Sequence, residues 1–509
     1  MEQPNIPQYA PYAFPPRKEP VVFPTGKGEL AFGVWTLLFS MLLCNCLLFA
    51  GANLGFAISQ LALMGGTFLY LRRRGHRFGW YEGTLLILCA VISLGFLRSD
   101  DGSMKFLMTL TLMAVPALGF AIAAGQNRWS PSGVLSLLDS PCATFGLGVG
   151  RLGEAGRGVR NAFRSAGTLG KNTGAVGIGL LVAVPVVAIM IPLLMSADAA
   201  FEGLLDLLPE FEVEEALVTA ILGAFLGIGL YTRGVALHHN ERTETAPKPV
   251  KGIHPLTVNT ILFAVAAVYL VYLASQLAYF VGGFSGILPE DFTLAEYARR
   301  GFFEMSELAA INLALIALGV GLVKKADKTP LTTRIVCLFI GIITVFLVAT
   351  ASAKMFMYIG SYGLTRARVM TEVFMLWLAV TTVVVCVWLF KEKLPYMKVS
   401  LLLALILCAA LFWADVDAQV ARYNVRAYQT GKLETVDVEY LSTLSSGAVP
   451  WLDELVNSAE PDIAREAQVE LAEYYLYPYD DLRGWNYTEY RAEGILEKYQ
   501  PAERAESRQ

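Results

Sequence analysis

The sequence predicts an all-α membrane protein: a polytopic bundle of about 11 transmembrane helices, followed by a small helical domain at the C-terminus. Three observations support this fold class. Hydrophobic residues make up 55% of the 509 residues and charged residues only 17%, whereas soluble proteins carry about 25% charged residues. Eleven apolar runs reach or approach the roughly 20 residues that a helix needs to cross a bilayer. The chain beyond these runs is polar and acidic.

The eleven apolar runs are separated by short polar or basic connections. They cover residues 31–50, 53–71, 80–97, 104–124, 175–195, 216–236, 256–281, 302–323, 333–359, 369–390 and 399–413. Only Gly51 and Ala52 separate the first two runs. Because forty residues of continuous helix would be about 60 Å long, twice the thickness of the hydrocarbon core, we expect a tight helical hairpin there.

Positive charge predicts how these runs are oriented. If the N-terminus is cytosolic, the segments between runs that face the cytosol hold 24 Lys and Arg residues, and the short exterior loops hold seven. This is the asymmetry of the positive-inside rule. It predicts a Pro-rich cytosolic segment (1–28), a transmembrane domain (29–413) with a basic cytosolic loop (125–174), and an acidic extracytoplasmic domain (414–509).

The predicted C-terminal domain is acidic and helical. From Asp415 onward the chain has 19 acidic and nine basic side chains. Apolar residues recur at helical spacing, as in Ile463, Ala467, Leu471 and Tyr474. The acidic balance and the apolar periodicity predict a small α-helical module and argue against a nucleic-acid partner.

Residue types that carry catalysis or bind metals are poorly placed. The four histidines, His76, His238, His239 and His254, all fall in predicted cytosolic loops. No Ser–His or Cys–His dyad and no HExxH zinc motif can therefore form within or outside the membrane. The sequence predicts no catalytic residue, no metal site and no cofactor.

Charged and tyrosine residues instead gather near the exterior ends of three predicted helices. They are Arg299, Arg300, Glu304 and Glu307 in a first group, and Lys354, Tyr358, Tyr362, Arg366, Arg368 and Glu372 in a second. Two interpretations remain open. The groups form an interfacial belt that anchors helix ends, or they form an exterior site that binds an anionic group or docks the acidic domain. Guanidinium suits the second role because it donates two parallel bonds to a carboxylate or phosphate.

These residues also carry a resemblance to a protein family. The stretches are Glu-Tyr-Ala-Arg-Arg-Gly-Phe-Phe-Glu at 296–304, Tyr-Ile-Gly-Ser-Tyr-Gly-Leu-Thr-Arg-Ala-Arg at 358–368, and the pieces at 421–425, 431–432 and 437–441. Within residues 256–499 they resemble bacterial inner-membrane proteins known as domains of unknown function 4153 and 4173. The resemblance implies a bacterial cytoplasmic membrane and implies no activity, substrate or catalytic residue.

Three functional hypotheses follow. The leading one is a non-enzymatic envelope scaffold or sensor, which sits in the lipid bilayer and meets a protein or envelope partner through its C-terminal domain. The alternative is a transporter of a small or amphipathic solute, favoured by Pro116, Pro185 and Pro192 within apolar runs and by Gly223 and Gly227. The third is an intramembrane enzyme with Glu304 and Glu307 as acid and base, which the placement of the histidines disfavours.

Overall fold

The computed structural model describes residues 27–127, 153, 190, 213–239, 253–283, 302–323, 329–476 and 482–500. The long helices, numbered among the described residues, are α1 (Lys27–Leu48), α2 (Leu54–Arg73), α3 (Trp80–Gly95), α4 (Gly102–Ala123), α5 (Val213–His239), α6 (Pro255–Gly283), α7 (Phe302–Leu322), α8 (Leu331–Tyr362), α9 (Arg366–Phe390) and α10 (Tyr396–Ala414). Most of the Pro-rich segment and of the basic loop, nearly all of the predicted span 175–195, and both Arg299 and Arg300 lie outside the described residues.

Eight of the described helices are long and apolar enough to cross a membrane: α1, α2, α4, α5, α6, α8, α9 and α10. Two shorter apolar helices coincide with further predicted runs, since α3 has 16 residues and the apolar part of α7 is Glu307–Ala317. Large aliphatic side chains stay outside the packed interior, as at Val268 (68% exposed) and Val271 (72%) on α6. Apolar surface of this kind suits lipid contact, and the chain is a multi-pass membrane protein.

Helices α1 and α5 approach each other closely at two glycines. A Cβ atom at Gly223 would lie 2.7 Å from the Cα atom of Met41, and one at Gly227 would lie 2.9 Å from that of Leu37. Since the obstructing atoms belong to the backbone, a larger residue could be accommodated only by moving the helices apart. The close helix packing predicted for this pair of glycines therefore occurs, against α1.

A polar node joins three of the membrane helices. The buried amide of Asn312 in α7 accepts a bond from the Tyr269 hydroxyl of α6 (2.7 Å) and donates to the Thr344 hydroxyl of α8 (2.9 Å). The Thr344 hydroxyl in turn donates to the carbonyl of Ile340 (2.7 Å). Satisfied polar groups of this kind hold membrane helices together, so the node is a packing feature of α6, α7 and α8.

Connections of the bundle fall on two faces. One face carries three connections together with Asp415, where the chain leaves α10: 49–53, 96–101 and 363–365. The C-terminal helices contact this face, and we call it the docking face. On the opposite face, Arg334 pairs with Glu392 at 2.5 Å. The connections between consecutive described helices alternate between these two faces, and the predicted span 175–195 lies almost entirely outside the described residues.

The described residues of the C-terminal segment, 416–476 and 482–500, form five α-helices around one core. They are α11 (Val416–Gln429), α12 (Val438–Ser442), α13 (Val449–Leu455), α14 (Pro461–Glu473) and α15 (Tyr487–Leu496). Val420, Leu441, Leu452, Leu471 and Leu496 are fully buried in that core. Pro450 and Pro461 stand in the first turns of α13 and α14, where proline costs no helical hydrogen bond.

Candidate functional site

The C-terminal segment begins with an abrupt change of direction at the end of α10. Asp415 has φ 55° and ψ 83°, a left-handed conformation that aspartate tolerates better than most residues. Its carboxylate accepts a bond from the Ala418 N–H (3.4 Å) and so caps α11. No linker separates α10 from α11, and the segment folds directly onto the docking face.

Arg366, the first residue of α9, binds the new helix through two nitrogens on one edge of its guanidinium. Its Nε donates to Asp417 Oδ1 at 2.7 Å, and its Nη2 donates to Asp417 Oδ2. The same Nε lies 3.3 Å from Asp101 Oδ2. Asp417 is completely buried and also accepts a bond from the Ser445 N–H (2.9 Å). One guanidinium thus joins α9 and α11 to the loop before α4.

The loop before Arg366 is fixed to α11 by a pair of amide hydrogen bonds. Asn424 accepts from the Leu364 N–H (2.7 Å) and donates to the Leu364 carbonyl (2.8 Å). The Arg366 N–H donates to the Tyr440 hydroxyl at 3.0 Å. Gly363 closes α8 with φ 76° and ψ −177°, and a Cβ atom there would lie 2.6 Å from Asn424 Oδ1. Only glycine adopts this conformation readily.

A second anchor lies near the other end of the C-terminal segment. The buried amide of Asn486 donates to the carbonyls of Phe96 (3.0 Å) and Ser99 (3.1 Å). The Tyr487 N–H donates to the Leu97 carbonyl (2.8 Å), so the loop between α3 and α4 is held by main-chain and side-chain bonds together.

The connection between α1 and α2 takes part in the same anchor. Asn53 donates to the Gly484 carbonyl (2.7 Å) and accepts from Lys105 Nζ (2.6 Å). Arg483 donates to the Asn45 side chain and lies 3.8 Å from Glu215 Oε1. The two anchors together hold both ends of the segment against the bundle.

Carboxyl groups between the two anchors are pushed toward their protonated forms. Burial raises the pKa of Asp415 to about 7, and the charges of Asp417 and Asp100 raise it further. The hydrogen bond from the Ala418 N–H and the charge of Arg98 lower this pKa in part. Burial, and after it the negative charge of Asp417, raises the pKa of Asp101, although the positive charge of Arg366 lowers it. Burial, followed by the hydrogen bond and charge of Asp100, raises the pKa of Glu489, whereas Lys105 and Asn53 lower it.

Other residues of the predicted site fall into a separate group at the end of α8. Arg368 donates to the carbonyls of Tyr362 (3.1 Å) and Gly363, and its guanidinium lies 4.1 Å from the centre of the Tyr358 ring. The Tyr358 and Tyr362 rings are 5.1 Å apart. A cation beside the last carbonyls of a helix stabilises that end, so Arg368 caps α8.

Among the described side chains, Glu307, Lys354 and Glu372 form no hydrogen bond or salt bridge with Arg366. Glu307 is exposed on α7, and no salt bridge within 4.0 Å reaches it from the described part of the chain. Lys354 and Glu372 are half-buried on α8 and α9. Glu304 belongs to α7, but its side chain, like Arg299 and Arg300, lies outside the described residues.

Sequence reasoning missed the partners of these groups. Asp417, Asp101 and Asn486 were not among the predicted site residues, although they supply the buried side of each anchor. A usable signal existed for Asp417, since an acid four residues beyond the last apolar run stands near the depth of the interfacial arginines. Asn486 lies in a glycosylation sequon, but its buried amide is engaged by the loop 96–99.

The docking face is built for attachment. Its side chains form bidentate and amide bonds between the bundle and the C-terminal segment, and across the described residues no group of three or more His, Cys, Asp or Glu side chains is arranged to hold a metal ion.

Comparison with known proteins places the chain in a family. No curated protein and no solved structure matches it. A family model does match residues 86–455, which extend from α3 through α13. The match includes the stretch at 358–368 that carried the resemblance, begins earlier than the resemblance did, and ends before Tyr499. The chain belongs to the family described as a domain of unknown function, DUF4153.

Proposed function

We propose that the protein is a non-enzymatic scaffold or sensor of the bacterial cytoplasmic membrane, whose bundle holds the C-terminal segment on the extracytoplasmic side. The observation that carries this proposal is the ion pair of half-buried Arg366 and buried Asp417, which joins the first residue of a membrane helix to the start of the segment. A segment that only needed tethering would not require a bidentate bond with a buried carboxylate.

Two anchors make the attachment rigid. The Arg366 anchor lies near the beginning of the segment, and the Asn486 anchor lies near its end. One contact would allow rotation, whereas two separated contacts define the orientation of the segment relative to the bundle. A force or ligand acting on the segment is then transmitted to the connections 96–101 and 363–365, and through them to the membrane helices.

The orientation in the membrane is supported by charge. Of the 24 Lys and Arg residues that the positive-inside rule assigns to the cytosol, ten lie in the described part of the chain, in or beside the helix ends opposite the docking face. The connections on the docking face are short and poor in such residues. The docking face and the C-terminal segment therefore lie outside, and the N-terminus lies in the cytosol.

Cysteine labelling in intact cells tests this arrangement. Gln468 is exposed on α14, and Lys393 is exposed between α9 and α10. In a background with the seven native cysteines replaced, a membrane-impermeant maleimide should label Gln468→Cys in intact cells and Lys393→Cys only after permeabilisation. The cysteine-free protein is the matched control. Labelling of Lys393→Cys but not Gln468→Cys in intact cells would overturn the proposal.

A further inference from the structure

An open basic pocket lies on the C-terminal segment, between α11 and the connection 363–365. Its volume is ≈ 430 Å³, and its polar lining consists of Gln419, Arg422, Tyr423, Arg426, Thr430 and Lys432. All six side chains are exposed, and no acidic residue lines the pocket. This volume lies within the range of roughly 300–1,000 Å³ that is usual for small-ligand sites.

Arg422, Arg426 and Lys432 line the same pocket because of the face that α11 presents and the turn that ends it. Arg422 and Arg426 stand one turn apart on the same face of the helix. At the C-terminal end of α11, Gly431 adopts φ 70°, and the Lys432 N–H donates a hydrogen bond to the Ala427 carbonyl at 2.8 Å. This Schellman-type ending returns Lys432 to the face that carries the two arginines.

None of these cations is neutralised within the described part of the chain, where no salt bridge within 4.0 Å reaches Arg422, Arg426 or Lys432. The arrangement is unusual for this segment, because from Asp415 onward the chain has 19 acidic and only nine basic side chains. Like charges one turn apart on a helix repel each other. An anion between the two guanidinium groups would remove that repulsion.

The pocket lies at the depth of the ends of the membrane helices. One of its walls is Leu364, in the short connection between α8 and α9. Asn424 fixes that wall to α11 with two hydrogen bonds. Helix α11 itself begins two residues after α10 ends. Lipid headgroups occupy this level of a membrane protein.

We infer that the pocket binds a phosphate group, carried either by an anionic lipid headgroup or by a soluble phosphate ester. Arginine side chains suit this ligand because their planar forks donate paired hydrogen bonds to phosphate oxygens. The hydroxyl of Tyr423 can donate to one of the oxygens that remain, whereas the Thr430 hydroxyl already donates to the Arg426 carbonyl (2.8 Å). This inference rests on the proposed function, since it names the ligand class of the segment that the bundle holds outside.

The test uses the full-length protein and two phosphate sources. Retention of phosphatidylglycerol is measured by native mass spectrometry, and binding of inorganic phosphate and glycerol phosphate is measured by titration calorimetry in phosphatidylcholine nanodiscs. The variant Arg422→Gln/Arg426→Gln is compared with Arg465→Gln/Arg491→Gln, which removes two exposed arginines elsewhere on the segment. We expect the pocket variant to lose affinity by about tenfold or more, and the control by less than about twofold.

The outcomes are distinct. Loss confined to phosphatidylglycerol identifies a lipid headgroup as the source, and loss for glycerol phosphate identifies a soluble ester. Three results would overturn the inference. They are equal binding by the pocket variant and the wild type, an equal loss of affinity in the control variant, and no binding of any probe. Correct cysteine labelling without phosphate binding contradicts this inference alone, and phosphate binding with reversed labelling contradicts only the proposed orientation.

Discussion

Two sets of arginines stand on either side of the connection 363–365, in opposite environments. The Arg366 guanidinium faces two buried carboxylates, those of Asp417 and Asp101. Arg422 and Arg426 are exposed and meet no acid in their pocket. The difference separates an arginine whose charge is paired within the structure from arginines whose charge is not. Arg426 lies over the Trp451 ring, 5.5 Å from its centre, a contact with an uncharged group that leaves this charge available to a ligand. The predictions below test that separation.

Removing the paired arginine should have the largest effect on stability. Arg366→Ala leaves the buried Asp417 carboxylate uncompensated, and we expect it to destabilise the attachment of the C-terminal segment by about 3–5 kcal/mol. Arg366→Lys should cost nearly as much, because an ammonium group cannot form the bidentate bond. Hydrogen exchange of the α11 amides measures the opening free energy.

Arg422→Ala is the matched control for this change, since it removes an exposed arginine from the same region. It should alter the opening free energy by less than about 0.5 kcal/mol. If Arg366→Lys and Arg422→Ala behave alike, the distinction between the two sets of arginines fails.

A smaller effect is expected at the glycine that ends α8. Gly363→Ala forces alanine into a conformation suited to glycine and brings its Cβ atom against Asn424, so we expect a loss of about 2 kcal/mol. Gly360→Ala is the control, because a Cβ atom at Gly360 meets nothing within 4 Å. Thermal unfolding of the purified protein compares the two variants. A Gly363→Ala protein as stable as the Gly360→Ala protein would show that the connection does not need this geometry.

Low pH should stabilise the attachment of the C-terminal segment to the bundle. Asp415, whose pKa burial raises to about 7, binds its proton more tightly in the docked state than in an opened state, where its pKa is near 3.8. The stabilisation of the docked state by protonated Asp415 is thus fully present below about pH 4 and is lost as the pH rises through 7. Between pH 6 and pH 8 we expect the opening equilibrium to rise about tenfold. The raised pKa of Glu489 acts in the same direction.

Protection factors of the amides in α13, corrected for the intrinsic pH dependence of exchange, measure this effect. The variant Asp415→Asn/Glu489→Gln keeps the shape of both side chains and should reduce the pH dependence to the contribution of Asp101. A wild-type attachment that strengthens from pH 6 to pH 8 would contradict the assignment of buried carboxyls to the interface.

The membrane helices and the C-terminal helices could be predicted because their signals are local. Apolar runs located α1 to α10, and the helical spacing of apolar residues from Ile463 to Tyr474 indicated α14. The connection at Gly51 was expected as a hairpin, and Gly51 there has φ 76°. Each of these features depends on residues within about one helix length.

The anchors could be predicted only in part, because each depends on two distant segments. Arg366 drew attention as a cation in a short connection, but Asp417 is 51 positions away and no local pattern links them. Asn486 lies 390 positions from Phe96, so its buried role could not be inferred from its neighbours. In the pocket, Lys432 joins the arginines only through the turn at Gly431.

The central claim is that Arg366 and Asp417 hold the C-terminal segment to the bundle as a coupled pair. A double-mutant cycle with Arg366→Met, Asp417→Asn and the combined variant measures that coupling directly from the opening free energies. We predict a coupling free energy of about 2 kcal/mol or more. A coupling below about 0.5 kcal/mol would mean that the two residues act independently, and it would contradict the account.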